Sequence, residues 1–481
     1  MRTSPVILAL GALLSACMVG PNYKRPDIDI PASFRFEEAN TADTANTEWW
    51  KQFGDPVLDD LVEDALANNK NVQIAAANIE QAAGVLTTTR SPLFPQVSYF
   101  SSAGRARLSE EGPFPALPSN PQSSFQLLGG ATWEIDLWGR IRRQTESARA
   151  SVFASVAARR GVILSLVSAV ASGYLELRGL DDQLEIAKRT LGTYADSVKL
   201  FTLQFQHGQV SEMTLAQART QYATALAAIP QIRLQIAQLE QAISILLGRN
   251  PGPITRGKTI DQLMLFPVPS GLPSELLDRR PDLVQAEENL IAANAQIGAA
   301  RALYFPMISL TSMAGLTSSE LKNLFKGPAA AWAFAGSITG PIFTAGAISG
   351  QVAQTEAAEQ AALVGYQEAI QNAFADVANA LVSHQELSEQ LAAQTELVEA
   401  SGDYTRLANL QYTGGYTPYF TVLQAEQQFF PAELNLAQTR AALLNSLVSV
   451  YRAMGGGWVT DAANLTGVSE TAISTPLIPF P

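Results

Sequence analysis

Four short stretches of the chain alternate apolar residues with polar or small ones, at the period of two that is typical of a β-strand. In Phe125–Leu137, the odd positions are mostly apolar, whereas Gln126 and Glu134 occupy even positions. The other three stretches are Val97–Arg105, Ile308–Leu316 and Trp332–Ile342. Each is close to the roughly 9 to 11 residues that a tilted strand needs to cross a bilayer.

Such strands also fit a soluble sandwich with one solvated face. A membrane is favoured because the strands come as two separate pairs, and because aromatic residues lie where girdles would meet lipid headgroups. The predicted girdle is Tyr99, Trp133, Trp138, Trp332 and Phe343. Leu127 is predicted to face lipid and Gln126 the lumen. Four strands cannot close a barrel, and an unpaired edge in lipid is costly. Several copies of the chain are therefore predicted to share one barrel.

Long helical patterns follow each strand pair. The segment from Arg140 to Gln206 contains no proline, and as a helix it would reach about 100 Å. Apolar residues recur there at spacings of three and four, which predicts a left-handed coiled coil. These residues are Leu177, Leu180, Leu184, Ala187, Leu191, Tyr194, Val198, Phe201 and Phe205.

Glycines interrupt the helical patterns and predict two antiparallel hairpins. The first hairpin turns at His207 and Gly208, and the second at Gly414 and Gly415. Pro230 and Pro431 lie in the returning helices and are predicted to kink them.

The chain contains two copies of one unit. A shift of 211 residues superimposes Phe94 and Pro95 on Phe305 and Pro306, whereas a shift of 207 superimposes Gly208 on Gly415. The change from 211 to 207 requires a connection shorter by four residues in the second copy. The exposed loop between two strands is the expected place, because surface loops tolerate length changes.

Six segments are predicted along the chain. They are a signal peptide (1–16), an anchor and extended segment (17–57), repeat one (58–250), a Pro-rich connector (251–280), repeat two (281–457) and an irregular tail (458–481). Each repeat consists of a helix, a strand pair and a long helical hairpin.

The N-terminus predicts a lipoprotein signal. Arg2 is followed by an apolar run, and Leu14-Ser15-Ala16-Cys17 resembles the bacterial lipobox. A free or buried cysteine is the alternative. Cys17 is the chain's only cysteine and lies at the cleavage point, so lipidation is favoured. Several acyl chains on one residue anchor a protein stably. Met18 rather than Asp follows Cys17, which predicts sorting to the outer membrane.

Composition excludes several other functions. No run of about 18 apolar residues occurs, so a bilayer-spanning helix is not expected. The chain from Cys17 on carries 31 basic and 44 acidic residues, a net charge of −13, which disfavours a nucleic-acid partner. His207 and His384 are the only histidines, and no catalytic or metal-ligand motif is present. We therefore expect neither an enzyme nor a cofactor; His384 is predicted to be a packed, satisfied histidine.

Several motifs resemble those of the TolC-type outer-membrane factors, in the lipoprotein branch that serves resistance-nodulation-division pumps. They are Cys17 to Tyr23 with Arg25-Pro26, Trp49-Trp50 with Phe53 to Pro56, Arg279 to Asp282, Ala286-Glu287, Ile297-Gly298, Ala300 to Ala302 with Phe305-Pro306, and Gly455 to Trp458.

This resemblance implies an α+β membrane protein. Three chains, each with four transmembrane strands, would form one β-barrel, continued by an α-helical tunnel through the periplasm. The hairpin tips would close the tunnel and meet a periplasmic adaptor, which connects to an inner-membrane transporter. The function implied is an exit duct for drugs or other toxic small molecules. A duct for protein secretion, and a periplasmic adaptor or structural lipoprotein, remain alternatives.

The predicted gate departs from part of that family, in which carboxylates follow the second tip glycine. Here Thr421, Gln424 and Gln428 follow Gly415, and Thr214, Gln217 and Gln221 follow Gly208. Both sets lie on one helix face at i, i+3 and i+7. They are candidate gate-lining residues, although a solvated polar face fits the same spacing.

Overall fold

The computed structural model describes residues 18–28, 30–31, 33–36, 47–109, 111, 120–268, 273–455, 458–459 and 466. Cys17 lies outside these residues. The helices described are α1 (Pro56–Asn68), α2 (Lys70–Arg90), α3 (Arg140–Gln206), α4 (Glu212–Leu246), α5 (Leu276–Arg279), α6 (Pro281–Ala302), α7 (Ala347–Thr413) and α8 (Tyr419–Met454). The strands are β1 (Gln96–Ala106), β2 (Gln122–Ile135), β3 (Met307–Ser318) and β4 (Ala330–Thr339).

The four strands form one antiparallel sheet in the order β1-β2-β3-β4. The two strand pairs, which are far apart in the sequence, are joined in this sheet because β2 also pairs with β3 along Phe125 to Ile135. The strands end close to the predicted positions. The fourth ends at Thr339 rather than Ile342, since Gly340 and Pro341 follow, and proline cannot donate to a strand ladder.

The strand register confirms the duplication. Gln96 pairs with Thr132 in the first strand pair, and Met307 with Thr339 in the second. The first partners differ by 211 positions and the second by 207 (307 − 96 and 339 − 132). The β1–β2 connection has 15 residues (107–121) and the β3–β4 connection 11 (319–329). The predicted four-residue shortening thus lies in the strand loop.

The chain divides into two compact units that cut across the two repeats. The first consists of Met1–Asp27, Ile79–Ser155 and Ala286–Tyr366, and includes the sheet. The second consists of Ile28–Asn78, Val156–Gln285 and Gln367–Pro481, and includes both hairpin turns. The segment boundaries predicted from the sequence follow the repeats instead, and they stay a prediction.

The predicted helix from Arg140 to Gln206 is confirmed residue for residue as α3. An 18-residue window of α3 is long and apolar enough to cross a membrane by composition alone, but 56% of it is buried inside the chain. That burial is typical of a core helix. Pro230 and Pro431 lie inside α4 and α8, which continue past them.

Asp55 organises the core of the second unit. Its buried carboxylate accepts hydrogen bonds from the Tyr174 hydroxyl (2.7 Å) and the Lys258 backbone N–H (2.9 Å). It also caps α1 through the Val57 N–H. Because an unpaired buried carboxylate is costly, these three bonds fix the polypeptide around Lys258 against α1 and α3. This accounts structurally for the motif Phe53 to Pro56.

Candidate functional site

The sheet has one apolar and one polar face. The register places Leu127 opposite Ser101 and Leu316, and Gln126 opposite Ser102 and Thr317. The face of Leu127 also carries Val97, Tyr99, Phe125, Trp133, Ile308, Leu310, Trp332, Phe334 and Ile338. The face of Gln126 is mainly Ser, Thr, Gln and small residues, with Phe100, Leu128, Met307 and Met313 as apolar exceptions. The predicted strand alternation is therefore confirmed.

Large apolar side chains on this sheet are exposed within the chain. Trp332 is 73% and Phe334 77% exposed, and their rings lie 5.5 Å apart. Val97 and Tyr99 on β1 are exposed too. A contiguous exposed apolar surface of this kind marks a membrane or protein contact.

Four of the five predicted girdle residues are exposed, namely Tyr99, Trp133, Trp332 and Phe343, whereas Trp138 is not. Trp332 lies near the loop end of β4, whereas Trp133 and Phe343 lie near the helical end and are exposed. Trp138 instead packs inside the chain: its indole stacks on Phe305 at 4.6 Å and donates to the Pro306 carbonyl (2.8 Å). Trp138 thus holds the junction between β2 and α3 against Phe305 and Pro306, the residues before β3. Its position beyond the end of the strand could have suggested this role.

The segment that follows Cys17 is clamped to the sheet unit. The Val19 N–H donates to the Trp138 carbonyl (3.1 Å). Arg143 of α3, whose side chain is buried, donates to the Asn22 side chain (2.8 Å) and to the Val19 carbonyl (3.3 Å). Arg143 was not identified from the sequence. These bonds hold Met18, the first residue after the predicted lipid site, against Gly139 at the start of α3.

Two glycines permit this clamp. A Cβ on Gly20 would overlap the Cα of Gly298, and a Cβ on Gly298 would overlap the Val19 carbonyl oxygen and the Arg143 side chain. Gly20 also has a φ of +100°, which favours glycine. The sequence therefore needs glycine at both positions, which explains two of the family motifs.

Glu287 of α6 holds the next part of this segment. Its carboxylate accepts from the Tyr23 hydroxyl (3.0 Å) and forms a two-pronged contact with the Arg25 guanidinium (2.8 and 2.6 Å). Bidentate Arg–carboxylate pairs are geometrically specific. Residues 18–25 thus follow one path along the sheet unit, and we refer to them as the anchor strap.

Both helical hairpins turn at the predicted glycines. Gly208 and Gly415 have φ values of +72° and +77°. The following N–H groups, of Gln209 and Tyr416, bond back to the carbonyls of Gln204 and Gln411. This is the Schellman motif that ends helices at a left-handed glycine. Gly414 precedes the left-handed residue and packs against the Tyr416 ring. The location of these turns in the periplasm stays a prediction.

The apolar stripes pack the helices of the hairpins together. Leu180, Ala187 and Tyr194 of α3 form one cluster with Ala225 and Ile229 of α4. Nearer the turn, a second cluster of buried residues joins the two hairpins; it contains Phe201, Leu215, Ala218, Ala408, Tyr419, Val422, Leu423 and Ala425. Phe201 and Tyr419 have ring centroids 4.1 Å apart. The antiparallel hairpins are thus confirmed.

The two candidate gate stripes are not equivalent. Gln424 and Gln428 are exposed and Thr421 is half-buried. In the first repeat Thr214 and Gln217 are half-buried, and Gln221 is only 8% exposed. A trimer of this chain would therefore not present six equivalent copies of the stripe. The exposed stripe on α8 is the better candidate for lining a pore, and its role stays a prediction.

Glu426 on α8 is a titratable group that sequence reasoning missed. Its side chain is 7% exposed, and one of its carboxylate oxygens has no hydrogen-bond partner among the described residues. Burial raises the pKa of this carboxyl to about 7. Burial raises the pKa of Tyr194 of α3 and of Tyr419, and the charge of Glu426 raises the pKa of both further. Glu426 lies four residues after Val422, on the apolar face of α8. An acidic residue on an apolar helix face was the signal from which the sequence could have identified it.

The two histidines have structural surroundings. His384 Nδ1 and the Ser446 hydroxyl are 2.7 Å apart, so this half-buried histidine has a hydrogen-bond partner as predicted. His207 lies in the first hairpin turn and is exposed. Within the described residues, no group of three or more His, Cys, Asp or Glu side chains could hold a metal ion.

An exposed two-faced sheet with a helical hairpin after each strand pair defines an α+β outer-membrane channel subunit. A model of the outer membrane efflux protein family matches residues 61–249 and 272–456. The chain belongs to this family, so it is an outer-membrane efflux channel and a transport protein rather than an enzyme.

Similar proteins cover nearly the whole chain. The toluene efflux pump outer membrane protein TtgC of Pseudomonas putida is 35% identical, over 98% of this chain and 99% of that protein. The cation efflux system protein CusC of Escherichia coli is 33% identical, over 94% and 98%. The solved outer-membrane channel OprN superimposes with a TM-score of 0.86 at 30% identity, over 92% of this chain and all of OprN.

Proposed function

We propose that this chain forms, as a lipid-anchored homotrimer, the outer-membrane exit duct of a tripartite efflux pump for drugs or other toxic small molecules. The observation that carries the proposal is the four-stranded sheet, whose apolar face is exposed and whose outer strands β1 and β4 each pair on one side only within the described residues. In lipid such edges must be paired. Three copies would give twelve strands, an even number in the range of outer-membrane barrels.

The anchor strap supports attachment of lipid at Cys17. Contacts of Val19 and Met18 with the start of α3 hold Met18, the residue that follows Cys17 in the sequence, at the helical end of the sheet. That end would face the periplasm, so the acyl chains would enter the inner leaflet beside the barrel. The prediction is that Cys17→Ala abolishes acylation, and metabolic labelling with a palmitate analogue measures it. Unchanged incorporation into the variant would remove the anchor from the proposal.

The partners proposed are a periplasmic adaptor protein and an inner-membrane resistance-nodulation-division transporter. The hairpin turns at Gly208 and Gly415 are the surfaces proposed to meet the adaptor. Relatives of almost equal identity are named for toluene and for cation efflux. The duct therefore does not set the cargo by itself, and the partner transporter is the expected source of selectivity.

Deletion of the gene, followed by growth on a panel of antibiotics, solvents, detergents and metal ions, tests the function. We expect increased sensitivity to at least one chemical class, restored by the intact chain. The matched control is a chain carrying Leu127→Arg, which should be expressed but should not restore growth. Unaltered sensitivity together with loss of a secreted protein would replace efflux by protein secretion.

A further inference from the structure

The β3–β4 loop (319–329) exposes two large apolar side chains outside the sheet. Leu321 is 59% and Phe325 74% exposed. Leu324, between them, is buried and holds the loop to the protein. Exposed Leu and Phe at the end of a strand pair are a liability in water. These two side chains would therefore be more stable in an apolar environment, which the chain itself does not supply.

Four backbone N–H groups in this loop are satisfied locally. The N–H groups of Asn323, Leu324, Lys326 and Ala329 each donate to the carbonyl three residues earlier, at 2.9–3.2 Å. Unsatisfied N–H groups are the main cost of placing irregular backbone near hydrocarbon. A loop with this bonding can rest at the boundary between headgroups and acyl chains at low cost.

Lysines flank the two apolar side chains. Lys322 pairs with Glu320 (3.0 Å) and is 75% exposed. Lys326 donates to the neutral Asn323 side-chain oxygen (2.8 Å), a contact that leaves its charge uncompensated. The loop thus contains two pairs of neighbours that each combine an apolar group with a cation: Leu321 with Lys322, and Phe325 with Lys326. This combination is typical of segments that lie in an anionic lipid interface.

The loop also continues the apolar face of the sheet. Trp332 and Phe334 on β4, just after the loop, belong to the exposed face that the proposed function places in lipid. The geometry points to the β3–β4 loop as a lipid-binding surface, in which Leu321 and Phe325 enter the outer leaflet and Lys322 and Lys326 contact the phosphates of anionic lipid. This inference rests on the proposed function, which puts the loop at the outer side of the membrane.

Site-specific labelling tests the depth of the loop. Phe325→Cys and Leu321→Cys would each be labelled with bimane in the full chain, with the unchanged chain as the control for labelling at Cys17. The trimer is reconstituted in vesicles that contain lipid A and phospholipid spin-labelled near the headgroup. We expect lipid spin labels to quench both bimane groups and iodide in water to quench them little. Quenching by iodide alone would overturn the inference, as would protection from both quenchers, which would mean that a second copy covers the loop.

Val97→Cys separates this inference from the proposed function. Val97 lies on the apolar face of β1 and is highly exposed. If spin-labelled lipid quenches a bimane at Val97 but not at Phe325, the loop assignment is wrong and the barrel stands. If neither is quenched in folded trimer, the membrane sheet itself is wrong.

Charge substitution tests the lysines. Lys322→Gln with Lys326→Gln should lower the amount of lipid A that co-purifies with the trimer by roughly fivefold or more. Most of this loss should come from Lys326, because Glu320 already pairs with Lys322. Lys188→Gln with Lys199→Gln removes the same charge from exposed positions of α3 and should change nothing. Equal lipid A on both double variants would overturn the role of the lysines.

Discussion

The sheet and the helical hairpins satisfy their apolar residues in opposite ways. Phe334 and Val97 in the sheet remain exposed within the chain, whereas Phe201 and Tyr194 in the hairpins are buried against neighbouring helices of the same chain. The hairpins thus contain much of their own core, and the sheet has almost none. The difference teaches that the apolar residues of the sheet depend on surroundings that the chain itself does not supply, whereas those of the hairpins depend on such surroundings less.

The largest expected effect is on assembly of the sheet. Arginine at a lipid-facing site near the bilayer centre costs about 2 to 4 kcal/mol per chain, and much less on a wet face. Leu127→Arg should therefore reduce assembled trimer far more than Gln126→Arg, its neighbour on the opposite face. Trimer is measured on unboiled gels of outer-membrane fractions. The reverse order would mean that the apolar face is turned toward the lumen.

The next effect concerns the hairpin core. Glu426 has a folded pKa of about 7, above its usual 4.5, so the folded state binds more protons than the unfolded state between these values. Stability therefore falls as pH rises from about 4.5 to 7, by at most about 3 kcal/mol, and does not recover above pH 7. Glu426→Gln should remove this loss.

Thermal unfolding of the purified trimer at pH 5 and pH 8 measures it. We expect Glu426→Gln to raise the melting temperature more at pH 8 than at pH 5. Glu399→Gln on α7 alters an exposed carboxylate and serves as the control. An equal gain at both pH values would mean that ionisation of Glu426 is not the cause.

The smallest expected effect is on block of the duct by cations rather than on stability, and it compares the two repeats. Neutral Gln424 and Thr421 offer no converging negative charge, so multivalent cations added from the periplasmic side should block the duct weakly. Thr421→Asp with Gln424→Asp should create strong block, seen in single-channel recordings. The same change at Thr214 and Gln217, which are half-buried, should do less. Submicromolar block of the unchanged protein would contradict the neutral gate.

Period and repetition predicted most of the fold. The bounds of α3, the two turn glycines and the faces of β2 followed from local sequence, because each depends on residues that are neighbours along the chain. The pairing of β2 with β3 did not follow, since 171 residues (136–306) separate the two strands and neither strand carries a signal for its partner.

Environment was harder to predict than geometry. Gln221 and Gln428 occupy matching positions of the two repeats, yet one is buried and the other exposed, because exposure depends on which distant helix lies against each. Glu426 and Arg143 were missed for the same reason. The sequence shows a charged residue in an apolar stripe, but it does not show whether distant residues supply a hydrogen-bond partner for it.

The anchor strap has a consequence for how the protein is made. Trp138 and Arg143 can hold the strap once the first half of the chain has been exported, but Glu287 and Gly298 emerge only with the second half. The anchor strap is therefore held by both repeats, and the contacts from the second repeat can form only after Glu287 and Gly298 have been made. A chain cut off before residue 287 would lack the contacts of Glu287 and Gly298, and we expect its anchor strap to be more accessible to proteases.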